Sequence, residues 1–324
     1  MRISVVVPAH NAEKTLRRCV ESILQGEKED VEVILVDDHS TDGTYQQCMD
    51  LRNRFPDLKA YSTEKRGVSA ARNEGLRHAT GEVIGFCDAD DMYAAETIAT
   101  VRDSFAIDPT LDILVVGLYY AHDSSGLQID GKRVYRGAFE CNTEQLWELI
   151  MTDGRIMGST CNKFYRASCV SNIHFDESLS HCEDMHFNCQ VIFANPHGKC
   201  RILPLPLYYY MFNTESATNN SQKLFNANDE FQYYRAIDRM STLFSGNREM
   251  TRLAEYKKMV LAIDTLLHAQ CKERHALFLY GSMEKYAKSF LWSIAKYPGM
   301  ENLKWAIKWI YLRFIKKRRF LREK

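Results

Sequence analysis

The chain has 324 residues, 45% hydrophobic and 26% charged, which suits one large domain or a domain with an extension and excludes a disordered chain. Lys+Arg and Asp+Glu balance at 42 each, so bulk charge gives no case for nucleic acid as a partner. The balance hides a basic end: residues 301–324 carry nine Lys/Arg against two Asp/Glu, leaving 33 against 40 for residues 1–300.

The first third alternates strand and helix patterns. Strands are predicted over 3–7, 33–36, 58–62, 83–87 and 113–118, with helices over 12–24, 44–54, 68–78 and 94–106 between them. Repeated β–α units of this length imply an α/β fold with a mainly parallel sheet covered on both faces. From 119 to 137 the pattern breaks into polar and aromatic pieces around Ser124-Ser125-Gly126 and Asp130-Gly131, a hairpin-like excursion. Helical periodicity returns at 144–151 and 184–194. Residues 203–212 are apolar but carry Pro204 and Pro206, which points to an edge strand. Beyond 222 the chain reads as helical, punctuated by Gly246, Gly281 and Pro298-Gly299, so a domain boundary is expected near 220, dividing 1–220 from 221–324.

Ten cysteines occur without a CxxC pair or zinc-site spacing, the usage of reduced thiols in a cytosolic protein. The first apolar run stops at Pro8, too early for a secretory core. The longest charge-free stretch, 202–214, is shorter than the ~20 apolar residues a bilayer span requires.

In a parallel sheet, ligands bind beyond the carboxyl ends of the strands. The first strand is followed by Pro8-Ala9-His10-Asn11, the second by Asp37-Asp38-His39-Ser40-Thr41-Asp42-Gly43-Thr44 and the fourth by Asp88-Ala89-Asp90-Asp91. Ser40 or Asp42 suits a helix cap, but capping does not require two adjacent carboxylates. Asp88, Asp90 and Asp91 repel one another unless a cation is present, and Mg²⁺ sites use one or two carboxylates with substrate phosphates. The alternative is a solvated acidic turn. Arg66 and Arg72 flank a small-residue helix start that suits an anion or, equally, surface ion pairs. No GxGxxG follows the first strand and no GxxxxGK[ST] occurs, which leaves dinucleotide oxidoreductases and P-loop NTPases without support.

Together, residues 3–11, 36–44, 67–76 and 81–91 resemble family 2 glycosyltransferases of the GT-A fold, of bacterial surface-polysaccharide type. The order continues through Asn162-Lys163-Phe164-Tyr165-Arg166, Ile173-His174-Phe175, Cys182-Glu183-Asp184-Met185-His186-Phe187, Leu207-Tyr208-Tyr209-Tyr210 and Ser216-Ala217-Thr218, covering about residues 1–220. The resemblance implies a nucleotide-sugar donor, UDP-linked, and a glycan or lipid-linked acceptor hydroxyl. Pro8, Ala9 and His10 would lie along the base, Asp38 would accept from its N–H, and Arg72 would face the base or diphosphate. Asp88 and Ala89 would hold the ribose side. Asp90 would ligate Mn²⁺ or Mg²⁺, with Asp88 reaching the ion through water. Asp184 would be the general base of an inverting displacement, and Glu183 would serve the acceptor side. Two positions depart from the family: His10 stands where Tyr is common, and Met211-Phe212 where an Arg often follows the last Tyr. Diphosphate contacts there would fall to Asn213, Thr214, Ser216 or Thr218. Competing readings are a sugar nucleotidyltransferase, whose glycine- and arginine-rich first loop is missing here, and an inactive nucleotide-sugar-binding scaffold, against which Asp88, Asp90 and Asp184 argue.

The chain end sets Lys304 and Lys308 on one helix face among Trp305, Ile307, Trp309 and Ile310, followed by Lys316-Lys317-Arg318-Arg319. Such a segment (303–324) suits an anionic membrane surface or an ordinary packing helix with a basic tail. With the family resemblance, the expectation is a cytoplasmic protein, peripheral at the inner face of the plasma membrane.

Overall fold

The protein is described by a computed structural model covering residues 1–25, 30–123, 126–212, 224–226, 228, 230–268 and 272–313. The chain opens with β1 (Ile3–Ala9), α1 (Leu16–Leu24), β2 (Val31–Asp37), α2 (Thr44–Arg54), β3 (Leu58–Ser62), α3 (Val68–His78) and β4 (Val83–Phe86). Next come β5 (Met92–Tyr93), α4 (Thr97–Ile107), β6 (Leu111–Asp123), β7 (Leu127–Arg133), β8 (Phe139–Asn142) and α5 (Thr143–Thr152). Then follow β9 (Lys163–Arg166), α6 (Ala167–Val170), α7 (Glu183–Ala194) and β10 (Lys199–Met211). Four helices end the described chain: α8 (Gln232–Leu243), α9 (Arg248–His268), α10 (Glu273–Lys296) and α11 (Met300–Tyr311).

Ten strands form one sheet in the order β3-β2-β1-β4-β9-β6-β10-β5, with β7 beside β6 and β8 beside β10. Every residue of β1 and β2 is buried, as expected of strands covered on both faces. The pairs β3–β2, β2–β1, β1–β4 and β6–β10 are parallel. Strand β9 enters antiparallel between β4 and β6, which makes the sheet mixed. A long excursion separates β6 from β9, so β9 is free to enter from the opposite end. The result is an α/β, Rossmann-like sheet flanked by helices, with the ends of β1, β2 and β4 on one edge.

Three expectations need correction. Helix α1 begins at Leu16, because Asn11 takes a left-handed conformation (φ 49°) and the turn after it closes through Thr15 N–H to Ala12 O. Strand β10 is no edge: β6 lies along one side, β8 pairs with its first four residues and β5 with Tyr208 and Tyr209. Pro204 and Pro206 fall between those two partners, where the register shifts and no ladder N–H is needed. Gly281 does not punctuate; α10 runs through it. Gly246, with φ of 87°, does lie between α8 and α9.

An ionisable side chain near the start of β2 is built into the sheet. Glu32 is fully buried and accepts from Ser4 Oγ (2.5 Å), Thr80 N–H (2.6 Å) and Thr80 Oγ1 (2.9 Å), with Lys59 Nζ at 2.7 Å. Burial alone would raise its carboxyl; Lys59, Ser4 and Thr80 more than offset that and hold it at about 2.

Packing divides the chain into two units, Met1–Leu146 with Gly158–Thr214, and Trp147–Met157 with Glu215–Lys324. The first unit contains the whole sheet. The second is helical around Phe231, Tyr256, Met259, Ile263, Leu279 and Phe290. Helix α11 turns Trp309 into that core, the capping Leu312 after it is buried there too, and Leu303, Ile307 and Ile310 are left exposed. Among the described residues no helix is long and apolar enough to cross a membrane. None of the nine described cysteines forms a disulfide.

Candidate active site

The loops after β1 and β2 are tied into one rim. Asn11 Oδ1 accepts from the Thr41 N–H at 2.8 Å, Ser40 Oγ accepts from the Asn11 N–H at 3.0 Å, and Thr44 Oγ1 accepts from the Ala12 N–H at 2.7 Å. These short polar side chains complete backbone groups that the strand ends leave unpaired. Pro8 and Ala9 are buried in the sheet opposite Val36 and Asp37, so only His10 reaches solvent. Its Nδ1 lies 2.6 Å from the Asp38 carbonyl oxygen.

Asp38 holds a backbone group. Both carboxylate oxygens accept the Gly67 N–H, at 2.8 and 3.0 Å. Gly67 precedes α3 with φ of 123°, a conformation that L side chains rarely adopt, so glycine is required there. The clamp fixes where α3 begins, and therefore where Arg72 stands on it. A carboxylate has further lone pairs, so the Gly67 contact leaves Asp38 able to accept from a ligand as well.

Arg72 gathers the centre. Its guanidinium is 4% exposed and donates through Nη2 to Asp88 Oδ1 (2.9 Å) and through Nη1 to Glu183 Oε1 (3.0 Å) and Asp184 Oδ1 (2.7 Å). The Phe175 ring lies 5.3 Å from its Cζ. Burial works against the charge, but Asp184, Asp88 and Glu183 outweigh it and hold the group firmly protonated. The planar fork suits this task, because one donor edge serves the β4 loop while the other serves α7.

Glu183 and Asp184 occupy the first turn of α7, whose preceding residue, Cys182, is left-handed (φ 57°). Asp184 Oδ2 also accepts from the Thr160 N–H at 3.4 Å. Burial pushes the Asp184 carboxyl up, Arg72 pulls it back, and Glu183 and Asp88 raise it again, leaving it at about 7. It is therefore poised between its two protonation states at neutral pH.

The acidic turn after β4 differs from a free cluster. Asp88 is paired with Arg72, while Asp91 is 2% exposed and accepts from Tyr208 Oη (2.5 Å) and the Met211 N–H (2.7 Å). Tyr208 Oη in turn accepts the Asp88 N–H at 3.2 Å. Burial, then Asp88 and Asp90, push the Asp91 carboxyl well above the usual range. Asp88 and Asp91 thus have partners inside the protein, which corrects the expectation that repulsion alone calls for a cation. Asp90 is partly exposed and Ala89 is buried beside it. Among the described residues no group of three or more His, Cys, Asp or Glu side chains is arranged to hold a metal ion. Asp88 and Asp90 still fit a Mg²⁺-type site, which takes one or two carboxylates and is completed by phosphate oxygens. Asn213, Thr214, Ser216 and Thr218, expected near the diphosphate, lie outside the described residues.

The structure thus joins Asp88, Arg72, Glu183 and Asp184 directly, and connects Asp38 and His10 to them through Gly67 and α3. Thr160 went unread in the sequence, Phe175 and Tyr208 were noted only as part of the family's motif order, and the structural role of Asp91 was missed. Their contacts reach across 24 to 120 positions, and no local pattern announces them.

A mixed α/β, Rossmann-like sheet flanked by helices, with the carboxylate after β4 and two from α7 meeting at one arginine, has the GT-A glycosyltransferase fold. The crystal structure of S. aureus TarS 1–349 in complex with UDP superimposes with a TM-score of 0.64 at 20% identity, covering 89% of this chain and 81% of that one. The mannosyltransferase PcManGT from Pyrobaculum calidifontis, in complex with GDP-Man and Mn²⁺, gives 0.51 at 18% identity, covering 98% and 88%. The family model for Glycosyl transferase family 2 matches residues 4–166, and the chain belongs to that family. The minor teichoic acid biosynthesis protein GgaA of Bacillus subtilis (strain 168) is 33% identical over 196 residues, 58% of this chain and 43% of that protein. The match therefore spans less than half of that relative's length.

Proposed function

We propose that the chain transfers a sugar from a nucleoside-diphosphate donor, UDP-linked, to a hydroxyl of a cell-surface glycan or lipid-linked acceptor, with inversion. The observation that carries this reading is the Arg72 fork, which joins the carboxylate after β4 to the α7 carboxylate in one centre. Family membership, the teichoic acid relative and a structural neighbour crystallised with UDP support it.

Asp184 takes the proton of the acceptor hydroxyl as its oxygen attacks the anomeric carbon, and the bond from that carbon to the diphosphate oxygen breaks with its electrons leaving on the nucleoside diphosphate. Arg72 holds the base in place and Glu183 serves the acceptor side. Pro8, Ala9, His10, Asp38 and Ala89 border the donor, and Asp88 holds its ribose side. Mn²⁺ or Mg²⁺ held by Asp90, and by Asp88 through water, would neutralise charge on the departing diphosphate; the Mn²⁺ of the mannosyltransferase neighbour supports that assignment. The catalytic domain would extend over 1–220, and 221–324 would form the helical extension.

Asp90→Ala is expected to weaken Mn²⁺-dependent UDP binding by at least about tenfold, read by thermal shift with and without the ion. An unchanged Mn²⁺-linked shift would remove Asp90 from the metal site.

The extension would rest on an anionic membrane surface through 303–324, at the cytoplasmic face of the plasma membrane. The exposed Leu303, Ile307 and Ile310 on α11 support this, as does the basic run 316–319 in the sequence, which lies outside the described residues. Replacing Lys316, Lys317, Arg318 and Arg319 by Gln should cut sedimentation with phosphatidylglycerol vesicles more than about tenfold, since each charge contributes about 1 kcal/mol. Equal sedimentation would reduce the segment to packing.

A further inference from the structure

Beyond the catalytic centre, one face of the sheet carries a half-exposed shelf that none of the roles above uses. Strands β6 and β10 run parallel with Leu118 opposite Tyr208 and Tyr120 opposite Tyr210. Side chains alternate along a strand, so these four share a face. The Tyr120 and Tyr210 rings meet edge to face, with centroids 6.0 Å apart. On the other side of β6, Gly131 of β7 stands opposite Tyr120, and Arg133 opposite Leu118. Gly131 presents no side chain, and a Cβ built there would meet nothing within 4 Å. The Arg133 guanidinium instead leans over the Tyr120 ring, 5.4 Å from its centroid.

Arg133 makes no ion pair among the described residues. The carboxylates of the same hairpin are engaged elsewhere, Asp123 with Arg18 and Asp130 with His122. The shelf therefore offers a guanidinium with no ion pair among the described residues beside two partly exposed tyrosine rings. Its place is beside the centre. Tyr208, two residues before Tyr210, reaches the Asp88 and Asp91 turn. Strand β6 is also tied to the 160–162 turn, since Asn162 Nδ2 donates to the Val116 carbonyl oxygen at 2.8 Å, and in that turn the Thr160 N–H reaches Asp184.

We infer that Tyr120, Tyr210 and Arg133 form the acceptor subsite, and that it takes a sugar or polyol unit bearing a phosphate or a carboxylate. The aromatic faces receive the C–H side of the unit, and the arginine fork pairs with its anion. This inference rests on the glycosyl-transfer reading and narrows its acceptor to an anionic glycan.

The test is calorimetric titration of the full chain, with UDP and Mn²⁺ present, using three probes: a glycerol-phosphate oligomer, an oligogalacturonate and maltotetraose. At least one anionic probe is expected to bind the wild type and maltotetraose is not. Arg133→Gln and Tyr120→Ala should each weaken that binding about tenfold while keeping the UDP thermal shift, which also reports that the variants fold. Binding of the phosphate probe alone or the uronate alone supports the subsite and identifies its anion. Equal binding of maltotetraose, an unchanged affinity in Arg133→Gln, or no anionic binding by a wild type that still shows its UDP shift would overturn the inference. Absence of any UDP shift in the wild type would instead strike the donor reading, and Arg133-dependent probe binding would still report on the shelf by itself.

Discussion

Asp184→Asn is expected to lower sugar transfer by about 10²- to 10⁴-fold while leaving the affinity for UDP within about twofold of the wild type. The amide keeps the size of the carboxylate and an oxygen for the Arg72 fork, but it has no basic form. The wild-type rate should also depend on pH in a defined direction. Burial raises the Asp184 carboxyl, Arg72 opposes that, Glu183 and Asp88 add to it, and the outcome is about 7. The base is the deprotonated form, so the rate under limiting acceptor should rise about tenfold per pH unit below that value and level off above it. Asp184→Asn should lose the acid limb together with the rate. Near-normal turnover in the variant, or a wild-type profile flat between pH 5 and 8, would exclude Asp184 as the base. Measuring transfer and UDP binding on the same preparations separates loss of chemistry from loss of the fold.

Which parts of this centre could be read from the chain follows from the range of the interactions involved. Residues 44–54, 58–62 and 68–78 match α2, β3 and α3 at both ends, because turns and apolar runs mark those boundaries locally. The carboxyl-end rule then put Asp38, Asp88 and Asp90 on one edge of the sheet, where the structure also has them, before any contact was known. The two-residue β5 is too short to carry a period, and β9 is a four-residue strand whose direction is decided by where its excursion returns. The same limit applies to the site. Arg72 read locally as equally suited to an anion or to surface ion pairs; its partners proved to be carboxylates 16, 111 and 112 residues away. Asp91 looked like one more metal-facing carboxylate until β10 placed Tyr208 and the Met211 N–H against it.

Arg72→Met should be the most damaging single change to the fold of the centre. It leaves Asp88, Glu183 and Asp184 facing one another without the one cation that, among the described residues, pairs with all three, and removing one partner from a buried ion pair typically costs about 3–5 kcal/mol. Transfer should be lost as well, because the α7 carboxylate proposed as the base is no longer tied to the β4 loop. The pH dependence separates this account from a simple packing defect, since methionine fills much of the same space. An unfolded aspartate titrates near 3.9, while Asp184 in the folded chain titrates at about 7. Between these values the folded state binds more protons than the unfolded state, so this group's contribution to stability falls as pH rises through the window. Arg72 limits that fall by favouring the charged carboxylate. Without it the folded-state value moves higher and the loss continues to higher pH. The difference in Tm between wild type and Arg72→Met should therefore be largest near pH 8 and shrink on going to pH 5, where protonation relieves the repulsion. Arg72→Lys should fall between the two, since an ammonium keeps the charge but cannot span both loops as a planar fork does. A Tm difference that stays constant from pH 5 to 8, or a variant as stable as the wild type at pH 8, would mean that the three carboxylates do not depend on Arg72 for their charge balance.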